Sequence, residues 1–452
     1  MNVLLISCDS LRADHLGCYG YPRATSPRLD AFAQDAVLGE WMLCPTLPTT
    51  PVHTTMMTGW HSLTHGLVSH RGGLAPRAGY PWLPSILQQA GYTTAAVDNI
   101  RRLLGWFADG FEYYIDPAHR HGHIWTASTE TLNQRTLPWL REHRDEPFFL
   151  FLHVWDTHTP YLPPLPLRNR FYEGDPCDPR HTSMERFRRQ FFYVRSEQWL
   201  AQLCEDLGQS GPLTDTEYLV SLYDSCILHM DEHLGRLFDA LDELGLSEDT
   251  LVILVGDHGE MMGENDVFFD HHSLYEGNLH VPLLVRWPAG GLSGGRRVAP
   301  MVQHLDLAPT ILAAAGQPVP ESMEGHNLLP LLRGESSAPV HKQLITQECT
   351  WQASWAIRTE THKLIIARDQ GLHNQPPREF YDLANDPRET RNLYLEQWPL
   401  AEELEARLEG WIARKLDALG LAEDPVRHEN ISLGRRWYDW LEAKKPARQR
   451  GA

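Results

Sequence analysis

Three runs of branched and aromatic residues constrain the fold more than anything else in the chain: NVLLIS (2–7), PFFLFLHVW (147–155) and TLVILVG (250–256). Each is an apolar run that ends at polar, charged or imidazole residues rather than alternating with them, the pattern of a short strand buried on both faces in a parallel sheet. Between the second and third, residues 217–246 place apolar side chains at 219, 222, 226, 230, 234, 237, 241 and 244. That three-to-four spacing predicts a long amphipathic helix. Strands alternating with helices read as a mostly parallel α/β sheet flanked by helices, whose ligands gather at the carboxyl ends of the strands. Asp9, Asp156, His158, Asp257 and His258 all follow such ends. The fold class itself therefore points to a site.

After about residue 340 the texture changes. LITQE, SWAIRTE and HKLIIAR are short strand-like runs, and PLAEELEARLEGWIARKLDALG (399–420) is a helix. We read a large α/β domain over 1–340 and a smaller α+β domain over 341–452, a division that suits a chain of 452 residues. The aromatic and basic tail RRWYDWLEAKKPARQRGA is either a docking arm that makes the protein a homo-oligomer or a frayed terminus.

Composition excludes some partners. A formal charge of −19 disfavours nucleic acid. No window supplies the roughly 20 uninterrupted apolar residues of a membrane span. The opening MNVLLISCDS lacks a basic stretch and a small-residue cleavage site, so we expect no signal peptide and a cytoplasmic protein. The seven cysteines are scattered without CxxC spacing, which predicts free thiols.

The stretch GDHGEMMGEND (256–266) sets Asp257 and His258 side by side after a buried strand, and Asp9 follows the first strand in the same topological position. A carboxylate and an imidazole suit a borderline divalent cation, Mn²⁺ or Zn²⁺, better than Ca²⁺, which prefers oxygen throughout; Mg²⁺ shares that preference. We expect one cation, with Ser10 as a weak or indirect partner, and the many histidines leave room for a second. HVWDTHTPY adds Asp156 and His158, and FFDHHSLYEG adds His271 and His272, to an anion or leaving-group site. Thr49 precedes a helix that should start near Pro51. Its hydroxyl is either a nucleophile touching the metal or, like that of Thr50, merely a helix cap.

Taken in order, these stretches resemble the sulfatase family of the alkaline phosphatase superfamily, nearly end to end. NVLLISCDSLRADHLGCYGYPRATSPRLDAFA resembles the family's opening and TTPVHTTMMTGWHSLTHG its nucleophile loop. PFFLFLHVWDTHTPY, VILVGDHGEMMGE, HSLYEGNLHVPLLV and REFYDLANDPRETRNL follow in the expected order. The resemblance implies an alkaline-phosphatase-like fold and a small anionic ester as substrate. It implies metal ligation by Asp9, Asp257 and His258, with Thr49 the metal-touching nucleophile and His158 beside the leaving oxygen. His271 or His272 falls where many members bind substrate with a lysine, and Asn99 lies near where they hold the sulfate.

Three positions depart from the pattern. Where the family signal reads Cys-x-Pro-x-Arg, this chain reads Thr49-Thr50-Pro51-Val52-His53, and the usual second aspartate is Ser10. Threonine cannot become formylglycine. In place of the missing arginine, His53 would help hold the anion. These departures favour a phosphate or phosphonate ester hydrolase working through a Thr49 intermediate. The alternatives are a sulfuric ester hydrolase without formylglycine and a non-catalytic metal- or anion-binding protein.

Overall fold

The structure, a computed structural model, describes residues 1–70, 75–117, 127–190, 193–206, 208, 211–369 and 375–428. The three apolar runs become β1 (Asn2–Cys8), β5 (Phe148–Val154) and β6 (Thr250–Gly256) of one large sheet. Its other strands are β2 (Val37–Leu43), β3 (Thr93–Val97), β4 (Tyr113–Ile115), β9 (His280–Arg286), β10 (Arg297–Val298) and β11 (Val302–Gln303); a separate two-stranded ribbon joins β7 (Met261–Met262) to β8 (Phe268–Asp270). The order is β10-β2-β9-β6-β1-β5-β3-β4, with β11 also on β2. All pairings are parallel except those of β9, which runs against β2 and β6. Residues of β1, β5 and β6 are buried throughout, which explains why these runs show no polar alternation.

Four helices matter for the site. They are α1 (Thr49–Thr58), α2 (Thr129–Glu142), the long α3 (Thr216–Glu243) and α4 (Trp398–Leu419). Helix α3 buries the apolar face that its periodicity predicts, including Leu219, Leu222, Cys226, Met230, Leu234, Leu237 and Leu241. Helix α1 differs, because all its residues are buried, His53 and five threonines included.

The C-terminal runs form an antiparallel sheet, β12 (Leu344–Glu348), β13 (Ser354–Arg358), β14 (His362–Ala367) and β15 (Arg378–Asp382), in sequential order. Helix α4 buries Ala401, Leu404, Leu408 and Ile412 against it. The fold is the expected mostly parallel sheet with a smaller C-terminal sheet and helix. Tail residues 435–452 lie outside the described residues. All seven cysteines are free, and no helix among the described residues is long and apolar enough to cross a membrane.

Candidate active site

Parallel pairing brings three strand ends to one place. Cys8 stands beside Val154 on one side and Gly256 on the other, so Asp9 and Asp257 leave the sheet together. The Asp9 amide donates to the Val154 carbonyl at 2.8 Å, which holds the turn in register. Two glycines flank Asp257 and His258 because nothing else fits. A Cβ on Gly256 would lie 2.7 Å from the Leu11 carbonyl oxygen, and one on Gly259 would lie 2.0 Å from that of Gly277.

Ser10 makes the sharp turn after β1, with φ at +59°. A non-glycine residue there needs outside support. It gets that support from Tyr223, whose hydroxyl donates to the Ser10 carbonyl at 2.8 Å. The Ser10 hydroxyl in turn donates to Asp9 Oδ1 at 2.8 Å, and its amide donates to Asp257 Oδ1 at 3.0 Å. Ser10 therefore aims both carboxylates.

His258 donates from Nδ1 to the Gly259 carbonyl at 3.0 Å, which leaves Nε2 as the lone-pair nitrogen facing inward. Ligand atoms of Asp9, Asp257 and His258 all lie within 4.8 Å of one another, and the three side chains are fully buried. Asp257 Oδ2 has no hydrogen-bond partner. No lysine or arginine among the described residues pairs with either carboxylate. An orphaned buried oxygen, two adjacent carboxylates and an inward imidazole suit a divalent cation. Burial, with Asp9 alongside, pushes Asp257 well above the usual carboxylate range. Burial would raise Asp9 too, but His158, His153 and His258 bring it down.

Thr49 opens α1 next to this group. Its Oγ1 lies 3.3 Å from Asp9 Oδ2 and 3.2 Å from His258 Nε2. It does not cap the helix, since no side chain caps α1 at all. The Thr50 hydroxyl is also turned away, to His70 Nδ1 at 3.0 Å. The helix starts two residues earlier than Pro51, which places the Thr49 hydroxyl in the first turn.

Further histidines surround the group. The His271 ring stacks on His258 with centroids 4.5 Å apart, and His158 lies 5.3 Å from His271. His272 instead turns to Asp270 and sits edge-on to Trp351. Of the adjacent pair, His271 is the one against the site. His158 bonds through Nδ1 to the Thr159 carbonyl.

Two expected residues serve other ends. His53 donates from Nδ1 to the Thr49 carbonyl at 2.7 Å, and its Nε2 accepts from the Ser7 hydroxyl at 2.9 Å. Burial, then the neighbouring His153, pull its pKa well down, so it is neutral with both nitrogens engaged. It braces the first turn of α1, with no ring nitrogen left to offer an anion. Asp156 accepts from the Thr129 amide at 2.8 Å and hydroxyl at 2.6 Å, and His229 Nδ1 lies 3.0 Å away, so its carboxylate is spent on α2 and α3. Asn99 is buried just past β3, next to Asp98.

Sequence reasoning missed His153. It lies 2.8 Å from Asp98 Oδ1 and 3.3 Å from Asp9 Oδ2, and these two contacts raise it to about 9 although burial opposes protonation. The signal was present. Ser7 and His153 are polar interruptions at matching register of two adjacent buried strands.

Known proteins resemble the chain over most of its length. Residues 1–317 match the Sulfatase family model, and 263–415 match that of the N-sulphoglucosamine sulphohydrolase C-terminal region. The N-acetylglucosamine-6-O-sulfatase of Bacteroides thetaiotaomicron is 23% identical over 87% of this chain and 82% of its own. A structure solved in complex with its substrate D-glucosamine-2-N,6-O-disulfate superposes with a TM-score of 0.74 at 20% identity, covering 92% of this chain and 98% of that one. The phosphonate monoester hydrolase of Agrobacterium radiobacter superposes with a TM-score of 0.69 at 22% identity, covering 92% and 96%. At such identities the superpositions speak for the fold alone.

Proposed function

The chain belongs to the sulfatase family, and on that premise we propose that it hydrolyses small anionic esters through a covalent intermediate on Thr49. The observation that carries the reading is the Thr49 hydroxyl, in contact range of both Asp9 and His258 and free of capping duty. Asp9, Asp257 and His258 would hold one divalent cation, Mn²⁺ or Zn²⁺ by its imidazole ligand, which when bound neutralises charge on the transferring group and acidifies the hydroxyl.

Kinship and chemistry point the substrate in different directions. The relatives' names back sulfuric esters more strongly than phosphorus esters. Residue 49 backs phosphorus. In a formylglycine sulfatase the hydrate expels sulfate by collapsing to an aldehyde, so water never has to attack sulfur. A threonine ester has no such exit. A phosphothreonine can be opened by water in line at phosphorus. Phosphate and phosphonate esters are therefore the reading the site chemistry supports, and sulfuric esters are the second, favoured by kinship.

In the proposed reaction the deprotonated Thr49 Oγ bonds to phosphorus as the ester P–O bond breaks. The leaving oxygen keeps the electron pair and takes a proton from the imidazolium of His158. Water then attacks phosphorus, loses its proton to His158, and frees Thr49. His271, stacked beside His258, would bind the substrate's equatorial oxygens.

A substrate panel tests this: aryl phosphate mono- and diesters, a phosphonate monoester and an aryl sulfate, with added Mn²⁺. We expect phosphorus esters to turn over fastest, and enzyme quenched during turnover to carry one phosphoryl group that the Thr49→Ala variant lacks. Faster sulfate turnover would shift the assignment to sulfuric esters. A folded, metal-loaded protein inert on every ester would leave only the binding-protein reading.

A further inference from the structure

A second group of ligating side chains lies outside the catalytic cluster, where α2 meets α3. His229 and His233 are four residues apart on α3, so they share one face of the helix, and Glu130 stands in the first turn of α2. One ligand atom from each of Glu130, His229 and His233 lies within 4.8 Å of the others. The histidines are buried, while the Glu130 side chain is 55% exposed. The group is open to solvent on one side and walled on the other.

What distinguishes this pair from surface histidines is the carboxylate behind it. Asp156 Oδ1 lies 3.0 Å from His229 Nδ1, and the Asp156 side chain is itself buried. A carboxylate on Nδ1 fixes that nitrogen as the proton carrier and leaves Nε2 as a lone-pair donor, the arrangement found behind metal-bound histidines. Nε2 faces Glu130 Oε2 at 3.9 Å. The His233 ring lies against His229 with centroids 4.7 Å apart. An Asn133 side-chain amide donates to the His233 carbonyl at 2.7 Å, which fixes the spacing of the two helices independently of any ion. Bonds of roughly 2.0–2.2 Å to Zn²⁺ require these donors to close up slightly, and the exposed Glu130 can make most of that movement.

We propose that Glu130, His229 and His233 bind a second divalent cation of the Zn²⁺ class, distinct from the one assigned to Asp9, Asp257 and His258. Three protein ligands leave room for water on the exposed side. The ion would tie the start of α2 to the middle of α3. Through Asp156 it would also brace the segment that carries His158, two residues on. The site does not depend on the Thr49 reading.

The test is equilibrium dialysis of chelator-stripped protein against micromolar Zn²⁺, with elemental analysis and a melting curve on each sample. An Asp257→Asn variant should retain a bound equivalent that the further changes Glu130→Gln and His233→Gln remove. In an otherwise wild-type chain, the Glu130→Gln/His233→Gln pair should bind one equivalent fewer than wild type and lose part of the melting-temperature rise that Zn²⁺ produces. Its melting temperature without metal should stay within a few degrees of wild type, since Asn133 and Asp156 remain. Equal Zn²⁺ content in wild type and the double variant would overturn the proposal. So would a variant that loses the equivalent only because it is unfolded without metal.

Discussion

At the scale of single residues, the question is whether the Thr49 hydroxyl reacts or only supports its helix. The structure removes the capping role, since that hydroxyl turns to Asp9 and His258. Thr49→Ala should therefore cut turnover on the order of 10³-fold or more while leaving the melting temperature nearly unchanged. A cap would do the reverse, costing about 1 kcal/mol of stability with turnover intact. Thr49→Ser should keep part of the activity because the hydroxyl survives. His158→Ala should lower kcat/KM, which reports the step that breaks the ester bond, by about 10²–10⁴-fold on alkyl esters and much less on nitrophenyl esters, whose leaving oxygen needs no proton. Equal losses on both would remove His158 from the general-acid role. The convergence of Asp9, Asp257, His258 and Thr49 was legible because each follows a strand end or opens a family block. The real tasks of His53 and Asp156 were not. A histidine four residues into a helix can face an anion or its own i−4 carbonyl, and only the packing of Ser7 decides between them.

At the scale of elements, periodicity revealed what is regular and hid what is wholly buried. Helix α3 was visible over nearly its whole length because one face meets solvent. Helix α1 has no solvent face, so no period marked its start, and a proline signal placed it two residues late. The same limit applies to β9, whose antiparallel direction follows from pairing between β2 and β6 and leaves no mark in its composition. The contact between the two sheets was equally hidden. Lys363 on β14 is fully buried and reaches Glu389 at 2.6 Å, Glu276 at 2.8 Å and the Leu274 carbonyl at 2.9 Å. Burial would raise Glu276, but Lys363 and Arg358 bring it down to about 2. A depressed carboxylate stabilises the fold above its unfolded value of about 4.3. That contribution is lost as pH falls through about 2. Lys363→Met strands two buried carboxylates and should cost about 3–5 kcal/mol in urea unfolding at neutral pH. A loss under 1 kcal/mol would mean that the two sheets hold together without this network.

At the scale of the whole molecule, the family was legible because many blocks occur in order, and the substrate was not. Fold and candidate metal ligands are set by strand ends, whereas the proposed choice among esters turns on residue 49 and on the side chains around it. The cation is the point where the scales meet. The folded chain holds Asp9 and Asp257 together in full burial with one oxygen orphaned, a cost carried by the packing of β1, β5 and β6. A cation relieves that cost only in the native state, so binding adds stability, about 2.7 kcal/mol at a free concentration one hundred times Kd. Chelation should therefore abolish turnover and lower the melting temperature together, and Mn²⁺ or Zn²⁺ should restore both. Ser10→Ala removes the hydroxyl that aims Asp9 and should weaken metal affinity by roughly 10–100-fold while activity at saturating metal largely returns. Asp257→Asn should abolish turnover at any metal concentration. Its apo form should melt no lower than wild type, because one of the two opposed buried carboxylates is gone. An apo Asp257→Asn protein that melts well below apo wild type would show that the carboxylate pair is held by the protein itself, not by a metal.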